Sequence, residues 1–292
     1  MCGLQGCLLL LRRAPKAGLA LAQGGVPGEE DGRSLHRSLR PRPRDDRRCT
    51  VVQALPRLDR IPYSRTCTLV TKVPDLFTVL AHPLLPNALL CTSSGLTASP
   101  DDDDYFDSED EEPFEEDEET KQMKEEDRKV CEEKAAALRA ALRKYAEGGG
   151  RVVLGGPLAN YLPFNMIDGM LADLGVSWKA HGYHRTTHFL NVGHPLYASL
   201  PGNSQARAAL PASYSTKAVL LKNVPAPEMV YHTTPESQVE SLSMMLMQAK
   251  VTNLEVAVAM GKVGEGWLGW CGDVNQEAGS TQATLWMLGL KK

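Results

Sequence analysis

Three histidines that lie close together, His181, His184 and His188, are the first residues that suggest chemistry. On a helix, this spacing would bring three metal ligands to one face. Gly182 and the threonines after Arg185 instead favour strand and turn, where neighbouring side chains point in different directions. The pattern therefore predicts a pocket-lining or structural role for the histidines and no metal site. Arg185 is a candidate for binding a small anion.

Asp273 and Asn275 form a second polar pair, which follows an apolar segment and precedes the last predicted helix. In open α/β sheets, ligands bind beyond the carboxyl ends of the strands, and this pair falls at such an edge. Aspartate and asparagine also cap turns through bonds to nearby backbone amides. Ligand binding and capping both remain open for this pair.

The turn after the apolar segment Arg151–Leu154 is where a nucleophile would be expected. A nucleophile elbow needs a strand, a sharp turn with Ser or Cys, and a helix. The chain offers Gly155, Gly156 and Pro157 instead. Cys91 lies within the preceding predicted strand and has the surroundings of a core thiol. No catalytic residue is therefore predicted, and no cofactor.

The order of the patterned segments predicts a three-layer α/β fold. Residues 67–71 and 87–92 are short apolar runs on either side of a predicted helix, and a long helix over 121–147 leads to Arg151–Leu154. Strand–helix–strand units require parallel strands. We therefore expect a flavodoxin-like or Rossmann-like domain over 66–292, with a mostly parallel sheet. A C-terminal β-hairpin is predicted around the turn 263–265.

The acidic segment 101–119 interrupts this pattern. It holds 14 of the 36 acidic residues of the chain and no base, so self-repulsion predicts a solvated, disordered insertion. Ser108 lies among these acids, which is the context that acidophilic kinases favour, and is a candidate phosphorylation site. The 32 lysines and arginines are spread along the chain, and nucleic-acid binding is not expected.

The first 65 residues and the cysteines bear on location. Residues 1–65 are basic and broken by proline, which predicts a disordered extension. No apolar run approaches the length of a membrane span, so no membrane partner is expected. Seven scattered cysteines without a CxxC pair are typical of reduced thiols inside the cell. The expected location is cytoplasmic or nuclear, with a mitochondrial location as the alternative.

Four segments carry a resemblance to a known family, namely RVVLGG (151–156), GYHRTT (182–187), YSTKAVLLKNV (214–224) and GKVGEGWLGWCGDVNQEAGS (261–280). They resemble an uncharacterised family of fungal proteins that is similar to a divergent branch of the class I glutamine amidotransferase-like superfamily, near the ThuA-like proteins. Active amidotransferases carry an elbow Cys and a late His. The resemblance places the elbow at residues 155–158, without Cys, and the late His near Asp273. It implies the fold without Cys–His activity.

Together these observations predict a non-catalytic α/β protein that binds a small molecule or a protein partner. The alternative is a hydrolase or metal-dependent enzyme that uses the His181, His184 and His188 region with Asp273. The candidate ligand-binding residues are Gly155, Gly156, Asn160, His184, Arg185, Asp273 and Asn275.

Overall fold

The computed structural model describes residues 5–13, 65–81, 86–97, 118–240, 251 and 254–290. These residues form nine strands in one sheet. The strands are β1 (Gln5–Arg13), β2 (Arg65–Lys72), β3 (Ala88–Cys91), β4 (Arg151–Leu154), β5 (Lys179–Leu190), β6 (Ser213–Lys222), β7 (Met229–His232), β8 (Val256–Val263) and β9 (Gly266–Cys271).

Seven α-helices connect or cover these strands in the described part. They are α1 (Val73–Ala81), α2 (Glu118–Glu147), α3 (Leu158–Tyr161), α4 (Ile167–Asp173), α5 (Pro195–Ala198), α6 (Gln205–Ala208) and α7 (Ala278–Met287). The long helix α2 buries Leu138, Leu142 and Tyr145, which recur at helical spacing on one face. It ends where Gly149 adopts a φ of 101°, a conformation that favours glycine.

The sheet closes on itself at one end. Its strand order is β2-β1-β3-β4-β9-β8-β6-β5-β7, and β7 also pairs with β8. The four strands β5, β6, β7 and β8 therefore form a closed ring in which every neighbouring pair is antiparallel. The other five strands extend from this four-stranded barrel through the β8–β9 hairpin. The hairpin is the one that the sequence predicts.

The predicted flavodoxin-like sheet is wrong. Only the β3–β4 and β4–β9 pairs of the described sheet are parallel, and the barrel and the β1 pairings are antiparallel. Parallel neighbours need a long crossover, which α2 supplies between β3 and β4. In the described residues between β5 and β8, no long helix separates the strands. In addition, β1 lies between β2 and β3, so the strands of the first predicted unit are not neighbours.

Strand β5 is continuous where the sequence predicts strand and turn. The histidine stretch lies within this one 12-residue strand rather than in a turn. Its side chains alternate: Thr186 and His188 are wholly buried, whereas Tyr183 is exposed. In a closed barrel the buried set points toward the interior. The histidine stretch is therefore part of the barrel wall.

Some predictions concern residues that the structure does not describe, and one differs from what it describes. Ser108 and the acidic segment up to residue 117 lie outside them, and α2 begins at Glu118. Strand β1 lies within the segment 1–65 that the sequence assigns to a disordered extension. Within the described residues, no helix combines the length and the apolar character that crossing a membrane requires.

The cysteines depart from the expectation of reduced thiols at one position. Cys91 and Cys271 are buried and free, whereas Cys131 is disulfide-bonded. The expectation of a reduced thiol is therefore wrong for Cys131. A disulfide requires two cysteines to be close in space, and the spacing of cysteines in the sequence does not reveal this.

Candidate functional site

A bulge in β5 brings two histidines onto one buried carboxylate. In a regular strand, residues three positions apart point to opposite faces. The pairing of β5 with β6 shifts between Ala180 and Gly182, which leaves His181 as the extra residue. As a result, His181 Nε2 lies 3.7 Å from Glu255 Oε1, and His184 Nε2 lies 3.0 Å from Glu255 Oε2.

Glu255 is held in place by its backbone at the start of β8. Its N–H donates to Thr233 Oγ1 at 2.9 Å, and its carbonyl accepts from the Thr233 N–H at 2.8 Å. The residue is only 6% exposed, while the side chains of His181 and His184 are about one quarter exposed, at 27% and 23%. The carboxylate therefore lies behind the two imidazoles, away from solvent.

His188 lies on the same buried face of β5, two residues beyond Thr186. Burial lowers the pKa of His188 to about 3, with a further contribution from the charge that His184 can carry. The backbone of Thr186 offsets part of this, but neither ring nitrogen has a hydrogen-bond partner of acceptable geometry. His188 is therefore a neutral imidazole at neutral pH with a donor and an acceptor unused.

We name His181, His184, His188 and Glu255 the histidine–glutamate cluster. Within the described part, the buried side-chain nitrogen and oxygen atoms without a hydrogen-bond partner are His184 Nε2, both ring nitrogens of His188, and Glu255 Oε2. The 3.0 Å contact between His184 and Glu255 is short enough for an ion pair, yet it does not have the angles of a hydrogen bond. All of these atoms without a hydrogen bond thus belong to one cluster.

His194 shows what a structural histidine looks like in the same fold. It is also wholly buried, but its Nε2 lies 3.0 Å from the Met260 carbonyl and its Nδ1 accepts from the Leu196 N–H at 3.2 Å. Both of its ring nitrogens are used, whereas neither nitrogen of His188 is. Burial alone therefore does not explain the unpaired atoms of the cluster.

Arg185 points to the opposite face of β5. Its Nη2 donates to Glu277 Oε1 at 2.7 Å, and its Nη1 lies 3.4 Å from Ser215 Oγ. Ser215 in turn donates to Glu240 at 2.7 Å. The guanidinium predicted to bind an anion is thus already paired with a carboxylate, and it lies apart from His184.

Asp273 is used by the backbone of its own loop. Its two carboxylate oxygens accept from the N–H groups of Asn275, at 2.8 Å, and Glu277, at 2.6 Å. This is the capping arrangement that the sequence left open beside ligand binding. Asn275 is exposed and contributes only its backbone here. The histidines meet Glu255 rather than Asp273.

Gly155, Gly156 and Asn160 lie at the carboxyl edge of β4, where the sequence places them. The Gly155 N–H donates to the Cys91 carbonyl at 3.0 Å, and the Asn160 amide donates to the Val274 carbonyl at 3.1 Å. Gly156 has a φ of 65°. Gly155 and Asn160 thus lie beside the loop of Asp273, and that loop runs along β6, where Asp273 bridges Ala218, the residue paired with His184.

The two free thiols near that edge are not activated. Burial raises the pKa of Cys91 to about 12 and that of Cys271 to about 11. Both are therefore protonated at neutral pH, whereas a thiolate is the nucleophilic form.

Glu255 is the member of the cluster that the sequence pattern does not identify. The signal available was a single acid at the start of an otherwise apolar strand, EVAVAM (255–260). Charged residues are rarely fully buried unless they are paired. Glu255 would therefore stand out as a candidate site residue only if its burial were known. Its partners lie more than 70 residues earlier, and only the fold brings them together.

The described residues contain no group of three His, Cys, Asp or Glu side chains arranged to hold a metal ion. No protein-family model matches the chain, and no curated protein or solved structure is significantly similar to it. The resemblance to the amidotransferase-like superfamily thus stays a prediction, and arguments about function rest on the geometry.

Proposed function

We propose that this protein binds a small polar molecule without covalent catalysis, and that the histidine–glutamate cluster is the binding site. The observation that carries the proposal is the concentration, in His184, His188 and Glu255, of buried polar atoms that make no hydrogen bond. A buried polar group without a partner costs about 1–3 kcal/mol, and more when it is charged. Such groups in a native fold require an explanation, and a bound polar molecule provides one.

The exposure of the cluster supports binding from solvent. His181 and His184 retain about a quarter of their side-chain surface, while Glu255 and His188 lie behind them. A ligand would therefore meet two imidazoles at the surface and a carboxylate deeper in the barrel. Small-molecule sites commonly combine apolar walls with a few inward polar groups, and Ala218 faces His184 from β6.

The remaining chemistry argues against an amidotransferase-type reaction. Such a reaction requires a thiolate activated by a histidine. Cys91 and Cys271 are buried with raised pKa values, and the Asp273 carboxylate is occupied by backbone amides. Within the described part, the two free thiols are thus not activated, and the Asp273 carboxylate is bonded to its own loop rather than to the histidines.

Ligand-detected saturation-transfer NMR on the full chain tests the proposal. A mixture of small amines, alcohols, sugars and carboxylates is added to the wild type, to Glu255→Gln and to Glu277→Gln. We expect at least one compound to bind the wild type and Glu277→Gln, and to lose its signal with Glu255→Gln. Glu277 is the matched control because it is a glutamate that forms an ion pair with Arg185, on the face of β5 opposite to the cluster. The proposal fails if no compound binds, or if binding is indifferent to Glu255.

A further inference from the structure

The described residues compensate the charge of Glu255 only weakly. Its ion-pair partners among the described residues are His181 at 3.7 Å and His184 at 3.0 Å, which are charged only when protonated. No lysine or arginine side chain of the described part lies within 4.0 Å of this carboxylate. Buried carboxylates are generally paired with a cation, so the place of a permanent counter-charge is open here.

The third histidine does not fill that place. Burial keeps His188 neutral at neutral pH, because it lowers the pKa of this residue to about 3. The described groups around it add no permanent positive charge either: Thr186 and Thr216 are neutral, Tyr214 faces it from β6, and His184 and His232 are imidazoles. As far as the structure describes the chain, the barrel near Glu255 therefore has a carboxylate and no fixed cation.

The hydrogen-bonding capacity of the cluster also favours a positively charged donor. An ionised carboxylate only accepts hydrogen bonds, and a neutral imidazole offers one acceptor nitrogen. Glu255 Oε2 and one nitrogen of His188 are thus two buried acceptors without donors. A hydroxyl group could donate to one of them but would leave the charge uncompensated. A group with several N–H donors and a positive charge satisfies both needs.

The positive group is one that forms hydrogen bonds rather than one that is coordinated. A metal ion needs three or four ligands at about 2 Å, with the ligands converging on one point. The described residues contain no such set of three. An ammonium or guanidinium group has no such requirement and is bound by carboxylates through N–H donation.

We infer that the ligand of the histidine–glutamate cluster carries an ammonium or guanidinium group that donates hydrogen bonds to Glu255. The inference rests on the proposed function and names the chemical class of the ligand. A small organic amine or a guanidino compound fits this class. A carboxylic acid or a phosphate of the same size would be repelled by the carboxylate.

Three probes of equal length test the inference with the full chain. Butylammonium, butanol and butyrate share one alkyl chain and differ in the charge of the end group. Their affinities for the wild type are measured by isothermal titration calorimetry or saturation-transfer NMR at pH 7.5. We expect butylammonium to bind at least about tenfold more tightly than butanol, and butyrate not to bind. This comparison needs no variant, so a folding defect cannot obscure it.

Two variants test whether Glu255 is the residue that causes the preference for butylammonium. Glu255→Gln should reduce the preference for butylammonium over butanol about tenfold, and Glu277→Gln should leave it unchanged. Circular dichroism confirms that each variant is folded.

The possible results separate the two proposals. If butanol or butyrate binds as well as butylammonium, and Glu255→Gln affects them equally, the charge assignment is overturned while the binding site stands. If ZnCl₂ alone binds stoichiometrically and Glu255→Gln abolishes this, the ligand is a metal ion and the inference is also overturned. If none of the probes and no compound of the mixture binds, both proposals fail.

Discussion

At the scale of single residues, His188 and His194 differ in whether their ring nitrogens have hydrogen-bond partners. Both imidazoles are wholly buried, but only His194 has partners for both ring nitrogens. Proteins generally satisfy buried polar groups, and the exceptions concentrate where a function requires them. His188 is such an exception, and it has a measurable consequence for stability.

His188 should make the protein less stable in acid. Its pKa is lowered from 6.5 in the unfolded chain to about 3 in the fold, so between these values the unfolded state binds more protons. The stabilisation is present above pH 6.5 and is lost progressively as the pH falls toward 3. At pH 5 this residue should account for a loss of about 2 kcal/mol.

Urea unfolding of the wild type and His188→Leu at pH 7.5 and pH 5 measures this loss. Other groups also titrate, so the informative quantity is the difference between the two proteins. The free energy of unfolding of His188→Leu should fall by about 2 kcal/mol less than that of the wild type. Equal losses in both proteins would show that His188 has an ordinary pKa.

Glu255 should contribute ligand recognition rather than stability. Its burial costs free energy because no described lysine or arginine is paired with it, and replacing buried ionic groups is often neutral or stabilising. We therefore expect Glu255→Gln to have a free energy of unfolding equal to that of the wild type or up to about 2 kcal/mol higher. Thermal unfolding of the unliganded proteins measures it.

Thr233→Val is compared with Glu255→Gln in the same thermal unfolding measurement. Thr233 Oγ1 accepts from the Glu255 N–H and supports the backbone at the start of β8. Its removal should cost about 1 kcal/mol. A loss of several kcal/mol in Glu255→Gln would instead assign Glu255 a structural role.

At the scale of elements, the loop before α7 shows how a predicted ligand residue can be a structural one. Asp273 accepts from two backbone N–H groups, and Glu277, the residue that precedes α7, makes no capping hydrogen bond with its own side chain. We expect Asp273→Ala to destabilise the protein by about 1–2 kcal/mol. Thermal unfolding measures this, with Asn275→Ala as the control because Asn275 is exposed.

Ligand binding separates the two roles of Asp273. Because its carboxylate is used by the loop, butylammonium binding should be the same in Asp273→Ala and in the wild type. A binding defect without a change in stability would return Asp273 to the candidate ligand site.

The elements themselves follow well from the sequence, while their pairing does not. Leu138, Leu142 and Tyr145 predict α2, and the apolar runs at 88–91 and 151–154 predict β3 and β4. These signals are local. The bulge at His181 is not, since it is defined by the pairing of β5 with β6. Without the bulge, His181 and His184 are expected on opposite faces, which is why the sequence does not indicate their convergence.

At the scale of the whole molecule, the antiparallel barrel changes where a ligand site is expected. A doubly wound sheet places its ligands at the carboxyl edge, which led to Gly155, Asn160 and Asp273 as candidates. These residues do lie together, but their polar groups bond to backbone. Closure of β7 onto β8 instead buries the polar face of β5. The site therefore depends on contacts between distant segments, which local patterns do not encode.

Imidazole ¹⁵N NMR of the histidine-labelled full chain tests the binding site most directly. Spectra are recorded with and without a compound that binds in the saturation-transfer experiment, and His188→Gln and His194→Gln assign the two buried imidazoles. The binding account predicts that His184 and His188 shift on ligand addition while His194, whose ring nitrogens are satisfied, does not. Unchanged His184 and His188 signals at a saturating ligand concentration would contradict it.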